Sequence, residues 1–172
     1  MNIWKWLFGG ARKATKTPKP YDESQSRWTT FDVPYGGASR PKNTVPLAGG
    51  SDVNVAGITF RLHDGHSFIL GLRELAEKGF GVPRLDLVRE PDNPVSPASI
   101  MVWGILPNGQ RFHLGYLPKE IAISISEQWR PEMPLAAELR RYGRLKKGNE
   151  VFFSINVLVP KAADRKPFLI KS

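Results

Sequence analysis

Apolar positions change period several times along the chain, and each change marks an element. Val53, Val55 and the run through Phe60 are rich in β-branched and aromatic residues and predict a first strand over 53–60. Phe68, Ile69, Leu72, Leu75 and Ala76 recur at three- and four-residue spacing, which predicts a helix over 67–78 stopped by Gly79. Residues 84–89 then alternate, Leu85 and Leu87 against Arg84, Asp86 and Arg89, as a half-buried strand does. Strands over 100–106 and 111–117 flank Pro107-Asn108-Gly109, whose Asn-Gly pair is a hairpin signal. Pro118 opens a short helix with Ile121, Ala122 and Ile125 on one face. Residues 136–139 are good helix formers, yet a turn at Lys147-Gly148-Asn149 precedes a strong strand over 151–159. The hairpin reading therefore makes 136–145 a strand against its local propensity, with Gly143 at a bulge or bend. The sum is a mainly β domain with two short helices, suited to a small, partly open barrel.

Before this body the pattern dissolves. Residues 9–51 hold Pro18, Pro20, Pro34, Pro41 and Pro46 with Gly36-Gly37 and Gly49-Gly50, a density that breaks both periods and reads as a linker, with Trp28, Phe31 and Tyr35 as tethers to the folded body. The organisation expected is an extended N-terminal tail over 1–51, a folded domain over 52–160 and a short tail over 161–172. Charge follows the same division. The 25 basic and 16 acidic side chains give +9. Residues 1–51 carry eight basic and three acidic residues, and 161–172 four and one, so the domain itself is nearly neutral. A basic balance suits a polyanion, but here only through a local patch, and Arg140-Arg141-Tyr142-Gly143-Arg144 is the clearest one. Trp4, Trp6 and Phe8 near the start are too few, and too interrupted by Lys5, for a signal or a spanning helix. They suit an interfacial anchor or, more readily, a docking segment. The cytoplasm is the default compartment.

Little here suggests catalysis. With no cysteine there is no disulfide, thiolate site or cysteine nucleophile. His63 and His66 are three apart and His113 is distant, short of the three or four ligands a zinc site needs, so no metal or cofactor is expected. Neither a Gly-x-Ser-x-Gly elbow nor a phosphate-binding Gly-x-x-x-x-Gly-Lys-Ser/Thr loop occurs. Glu74 and Glu77 lie beside Arg73 and Lys78 as on a solvated helix face. The loop Glu90-Pro91-Asp92-Asn93-Pro94 is stiffened by its prolines, which suits either a ligand loop or a plain turn.

Three motifs carry a resemblance: Leu87-Val88-Arg89-Glu90-Pro91-Asp92-Asn93-Pro94, Ser99-Ile100-Met101-Val102, and Gly115-Tyr116-Leu117-Pro118-Lys119-Glu120-Ile121-Ala122, with Val55-Ala56-Gly57-Ile58-Thr59-Phe60 upstream. Over roughly 52–160 the chain resembles the HIRAN domain, found beside fork-remodelling helicase-like ATPases and as a stand-alone unit. The resemblance implies a barrel of the oligonucleotide-binding type, with the 67–78 helix as an insertion. It also implies a non-enzymatic module of DNA repair or replication that binds single-stranded DNA and captures a free 3′ end, with a helicase-like ATPase as a partner. By the same resemblance Phe60 stacks on a base, Asn93 contacts the terminal nucleotide, and Tyr116 and Lys119 reach phosphates. Arg61, next to Phe60, and Arg89, within the first motif, complete the expected set with Arg140, Arg141, Tyr142 and Arg144. The chain departs from the end-binding pattern where Val95 and Ser96 replace a tyrosine and an aspartate and Thr59 replaces a basic residue, which weakens 3′-end recognition more than strand binding. The alternative is an interaction or scaffold protein that recruits a partner through its barrel or its aromatic N-terminus.

Overall fold

The computed structural model describes residues 28–33, 40–79, 81–146 and 149–170. The Trp4, Trp6 and Phe8 segment, Tyr35 and the Lys147-Gly148 turn lie outside them. One antiparallel sheet organises the rest. Its strands are β1 (Trp28–Asp32), β2 (Thr44–Pro46), β3 (Val53–Asn54), β4 (Arg84–Arg89), β5 (Ile100–Ile105), β6 (Arg111–Tyr116), β7 (Ala136–Leu145) and β8 (Val151–Pro160). The order is β2-β8-β7-β4-β5-β6, with β1 also on β7 and β3 on β8. The helices are α1 (Leu62–Lys78), α2 (Lys119–Gln128) and the single turn α3 (Ala162–Arg165).

The fold is mainly β, as the alternation predicts, and the sheet does not close into a continuous barrel. A single bridge, Ala56 to Tyr116, joins the segment after β3 to β6 through backbone bonds of 2.8 and 2.9 Å. Because β3 lies on β8, that bridge brings opposite ends of the strand order together at one point.

β8 explains why 136–145 is a strand. Phe153, Ile155 and Val157 are fully buried along one face of β8, and their burial needs a partner strand more than four residues need to be helical, since propensities differ by only a few tenths of a kcal/mol per residue. The ladder shifts register between Leu139 and Arg141, so the bulge sits at Arg140 and not at Gly143. The extra residue turns both Leu139 and Tyr142 inward, each 3% exposed.

Three further expectations change. The strand expected over 53–60 ends at Asn54, because Gly57 adopts φ 72° and turns the chain into a 3-10 turn over Ile58–Arg61. The first helix begins at Leu62, five residues early, and buries Phe68, Ile69 and Leu72. The flanking segments join the fold. β1 and β2 extend the sheet N-terminal to Asp52, and the C-terminal residues pair with the end of α2 through Arg130 N–H to Phe168 O (2.8 Å) and Ile170 N–H to Gln128 O (3.0 Å). Both are short pairings without a period of their own, supplied by the partner segment.

The core lies between α1 and the sheet. Phe68 packs at 5.8 Å from Phe112 and 5.7 Å from Phe153, centroid to centroid. Gly104 leaves room for it: a Cβ there would sit 2.7 Å from the Phe68 ring. Burying that one ring contributes about 2–3 kcal/mol.

Candidate nucleic-acid interface

Three stretches far apart in sequence meet at one cleft. The first is the 3-10 turn. Gly57 starts it in the left-handed region, its carbonyl accepts the Phe60 N–H (3.1 Å), and Phe60 projects with 88% of its surface exposed. Arg61 follows directly and leads into α1.

The second is the loop between β4 and β5, closed by Glu90 N–H to Ser99 O at 2.9 Å. Asn93 builds its interior. Its amide NH₂ donates to Glu90 Oε2 (2.6 Å), and its carbonyl oxygen accepts the N–H groups of Val95 (2.9 Å) and Ser96 (3.2 Å). This is an Asx turn, and it commits most of the amide to holding the loop. Val95 is thereby held out at 92% exposure.

The third is the end of β6 and the start of α2. The Ala56 bridge pins Tyr116, and the His113 ring meets it edge-on at 5.1 Å. Pro118 starts α2, whose first turn places Lys119 on the rim, with no side chain capping it. Ala56 lies opposite Tyr116 and Ser99 closes the loop side.

The cleft encloses about 440 Å³, and Phe60, Arg61, Asn93, Val95, Ser96, Tyr116 and Lys119 all line it. Among the described residues two cations and no carboxylate contribute to the lining. Ala56, Gly57, Ser99, Leu117 and Ala122 also line it; they stand within the motifs but carry no expected contact. The signal for Gly57 was available, since a glycine before a polar turn marks a φ > 0 position.

The remaining expected residues lie elsewhere. Thr59 is in the turn but does not line the cleft. Arg89 is half-buried at the end of β4, and its Nη2 has no hydrogen-bond partner among the described residues. Burial lowers its pKa and the charge of Glu132 opposes that shift. The β7 patch does not act as a unit. Tyr142 belongs to the core, and burial raises the pKa of its hydroxyl. Arg141 is paired with Asp52 at 2.5 Å. Asp52 itself has a lowered pKa, first because the Ser154 hydroxyl donates to it; burial opposes this, and Arg141 and then Arg140 lower it further. Arg140 and Arg144 are exposed on β7, outside the cleft. The bulge explains the split: the extra residue at Arg140 turns Tyr142 into the core between Arg141 and Arg144.

His113 is 6% exposed. Its backbone N–H donates to Asp64 Oδ2 (3.1 Å), and its Nε2–H donates to Gly115 O (3.1 Å). Burial first, then the charge of Arg61, lowers its pKa, while the Gly115 bond, Asp64 and Glu90 oppose this. His66 Nε2 instead meets Asn149 O at 2.6 Å. Among the described residues no three His, Cys, Asp or Glu side chains gather as metal ligands, and no helix is long and apolar enough to cross a membrane. Comparison of the chain with protein-family models, curated proteins and solved structures finds no match in any of the three.

Proposed function

We propose that this chain is a non-enzymatic, HIRAN-like module that binds single-stranded DNA in the cleft, acting in repair or replication beside a helicase-like ATPase. The observation that carries the reading is convergence: an exposed aromatic, a stiff loop and two cations from three separated stretches line one cavity. Phe60 costs the fold nothing to keep yet stands in water, which suits a stacking platform worth roughly 1–3 kcal/mol per base. Arg61 and Lys119 supply charge for phosphates, and the uncapped start of α2 adds backbone N–H groups and a positive dipole end.

With Val95 and Ser96 in the loop, the described residues lining the cleft offer no charged acceptor for a 3′ hydroxyl. Stacking and phosphate contact then supply most of the affinity, and a free end adds little. A second reading, docking of an apolar peptide, draws on the exposure of both Phe60 and Val95.

Fluorescence anisotropy with one oligonucleotide in three forms (free 3′ hydroxyl, 3′ phosphate, closed circle) tests the reading. Similar affinity for all three is expected. Affinity should also fall with salt, with a log–log slope of about −1.4 for two phosphate contacts on a single strand. Binding without salt dependence, or no binding at all, would move the assignment to the protein-docking reading.

A further inference from the structure

Tyr116 is the end of a longer row. The His113 ring meets Tyr116 at 5.1 Å, Trp103 stacks on His113 at 4.9 Å and 16°, and the Arg111 guanidinium lies over the Trp103 ring at 5.1 Å. All four belong to β5 and β6, where Trp103 pairs with His113 across the one register shift of that ladder. The row lies on the face opposite the core: Val102, Gly104 and Leu114 point inward and are buried, whereas Trp103 is partly exposed and Arg111 exposed. The only carboxylate beside it on β4, Asp86, is engaged by Arg84 at 2.9 Å. Arg61, from the cleft, is near enough for its charge to act on His113. A row of rings therefore leads from the cleft along the hairpin to Arg111, with His113 buried between Tyr116 and Trp103 and the charges of Asp64 and Glu90 also acting on it.

Resting on the cleft reading, we propose that the outer face of the β5–β6 hairpin, from Tyr116 through Trp103 to Arg111, is a second subsite that takes the continuation of the same single strand. Arg111 meets a phosphate there, held in place by the Trp103 ring, and the exposed part of Trp103 packs against a base or sugar. His113, being buried, serves as the filler that keeps the two aromatic surfaces in line. With stacked nucleotides rising about 3.4 Å each, the spacing of the row takes the path beyond a dinucleotide. The ligand is thus a strand of about five or six nucleotides rather than an end alone.

The test compares 5′-labelled oligothymidylates of two, six and twelve nucleotides on the full chain, with Arg111→Ala and Trp103→Phe. Affinity should rise about tenfold from two to six nucleotides, equal to one added stack and phosphate contact, then level off apart from the statistical gain of a longer lattice. Arg111→Ala, at an exposed position, should remove most of that rise. Tryptophan fluorescence should be quenched by the six-nucleotide strand and less so in Trp103→Phe. If affinity does not rise with length, or rises equally in Arg111→Ala, the second subsite is refuted and the cleft reading stands. If no length binds, both fall.

Discussion

Phe60 and Gly115 divide the work of the cleft between contact and construction. Phe60→Ala removes an 88% exposed ring, so stability should stay within about 0.5 kcal/mol of wild type while oligonucleotide affinity drops by about 1–3 kcal/mol. Paired melting and anisotropy measurements check this, and a large loss of stability would mean that the ring packs in solution. Gly115 touches no ligand in this scheme. It holds φ 136°, and a Cβ there would lie 2.2 Å from the Ala56 carbonyl oxygen. Gly115→Ala should therefore break the bridge that fastens the 3-10 turn to β6, costing about 1–3 kcal/mol and weakening binding by separating the walls.

His113 ties the same place to pH. Its folded-state pKa is below the ordinary 6.5, so the unfolded chain takes up the proton first as pH falls. Stability from this residue is complete above about 6.5 and declines below it toward the folded value. Urea midpoints at pH 7.5 and pH 5 should show that decline, and His113→Gln, which keeps a donor for Gly115, should flatten it. Asp52 acts in a separate window: its lowered pKa stabilises the fold above 3.8, and this is lost as pH falls further, through the folded-state value.

At the scale of elements, the segment before β3 is held by charge as well as by strand pairing. Glu138, on β7, is 1% exposed, receives Arg40 at 2.6 Å and Asn156 at 3.0 Å, and has no route to water of its own. Removing one partner of a buried pair leaves an uncompensated charge. Arg40 is itself over one-third exposed, which reduces the expected cost of Arg40→Ala to about 2 kcal/mol. Glu138→Gln in that background should restore part of the loss, because an amide needs no counter-ion. A denaturant-based double-mutant cycle measures the coupling, and additive effects would show that the ion pair does not hold the segment. This pairing was hidden in the sequence: Arg40 and Glu138 are 98 residues apart, and nothing local to either marks it.

Across the whole molecule, hydrophobic period was enough to place β4, β5, β6 and β8 within a residue or two and to set α2 after Pro118, because each has an apolar face whose spacing is set by its own backbone geometry, while β7 was legible only through the turn that precedes β8. Composition located the excess charge, and motif order singled out Phe60, Asn93, Tyr116 and Lys119 before any of them could be seen to share a cavity. Period did not reach short pairings. β1, β2 and the C-terminal return exist because β7, β8 and the end of α2 offer unpaired backbone, and that offer is invisible from residues 28–46 or 166–170 alone. Nor did it reach the direction of side chains past an irregularity. One extra residue at Arg140 buried Tyr142 and split a run of cations that reads as a single patch. Local sequence determined the strands and helices that carry an apolar period of their own, since that choice depends on near neighbours, whereas β1, β2 and β7 are strands because of their partners. Tertiary structure decided which side chains share a site and which edges are paired, since both depend on residues brought together only by folding.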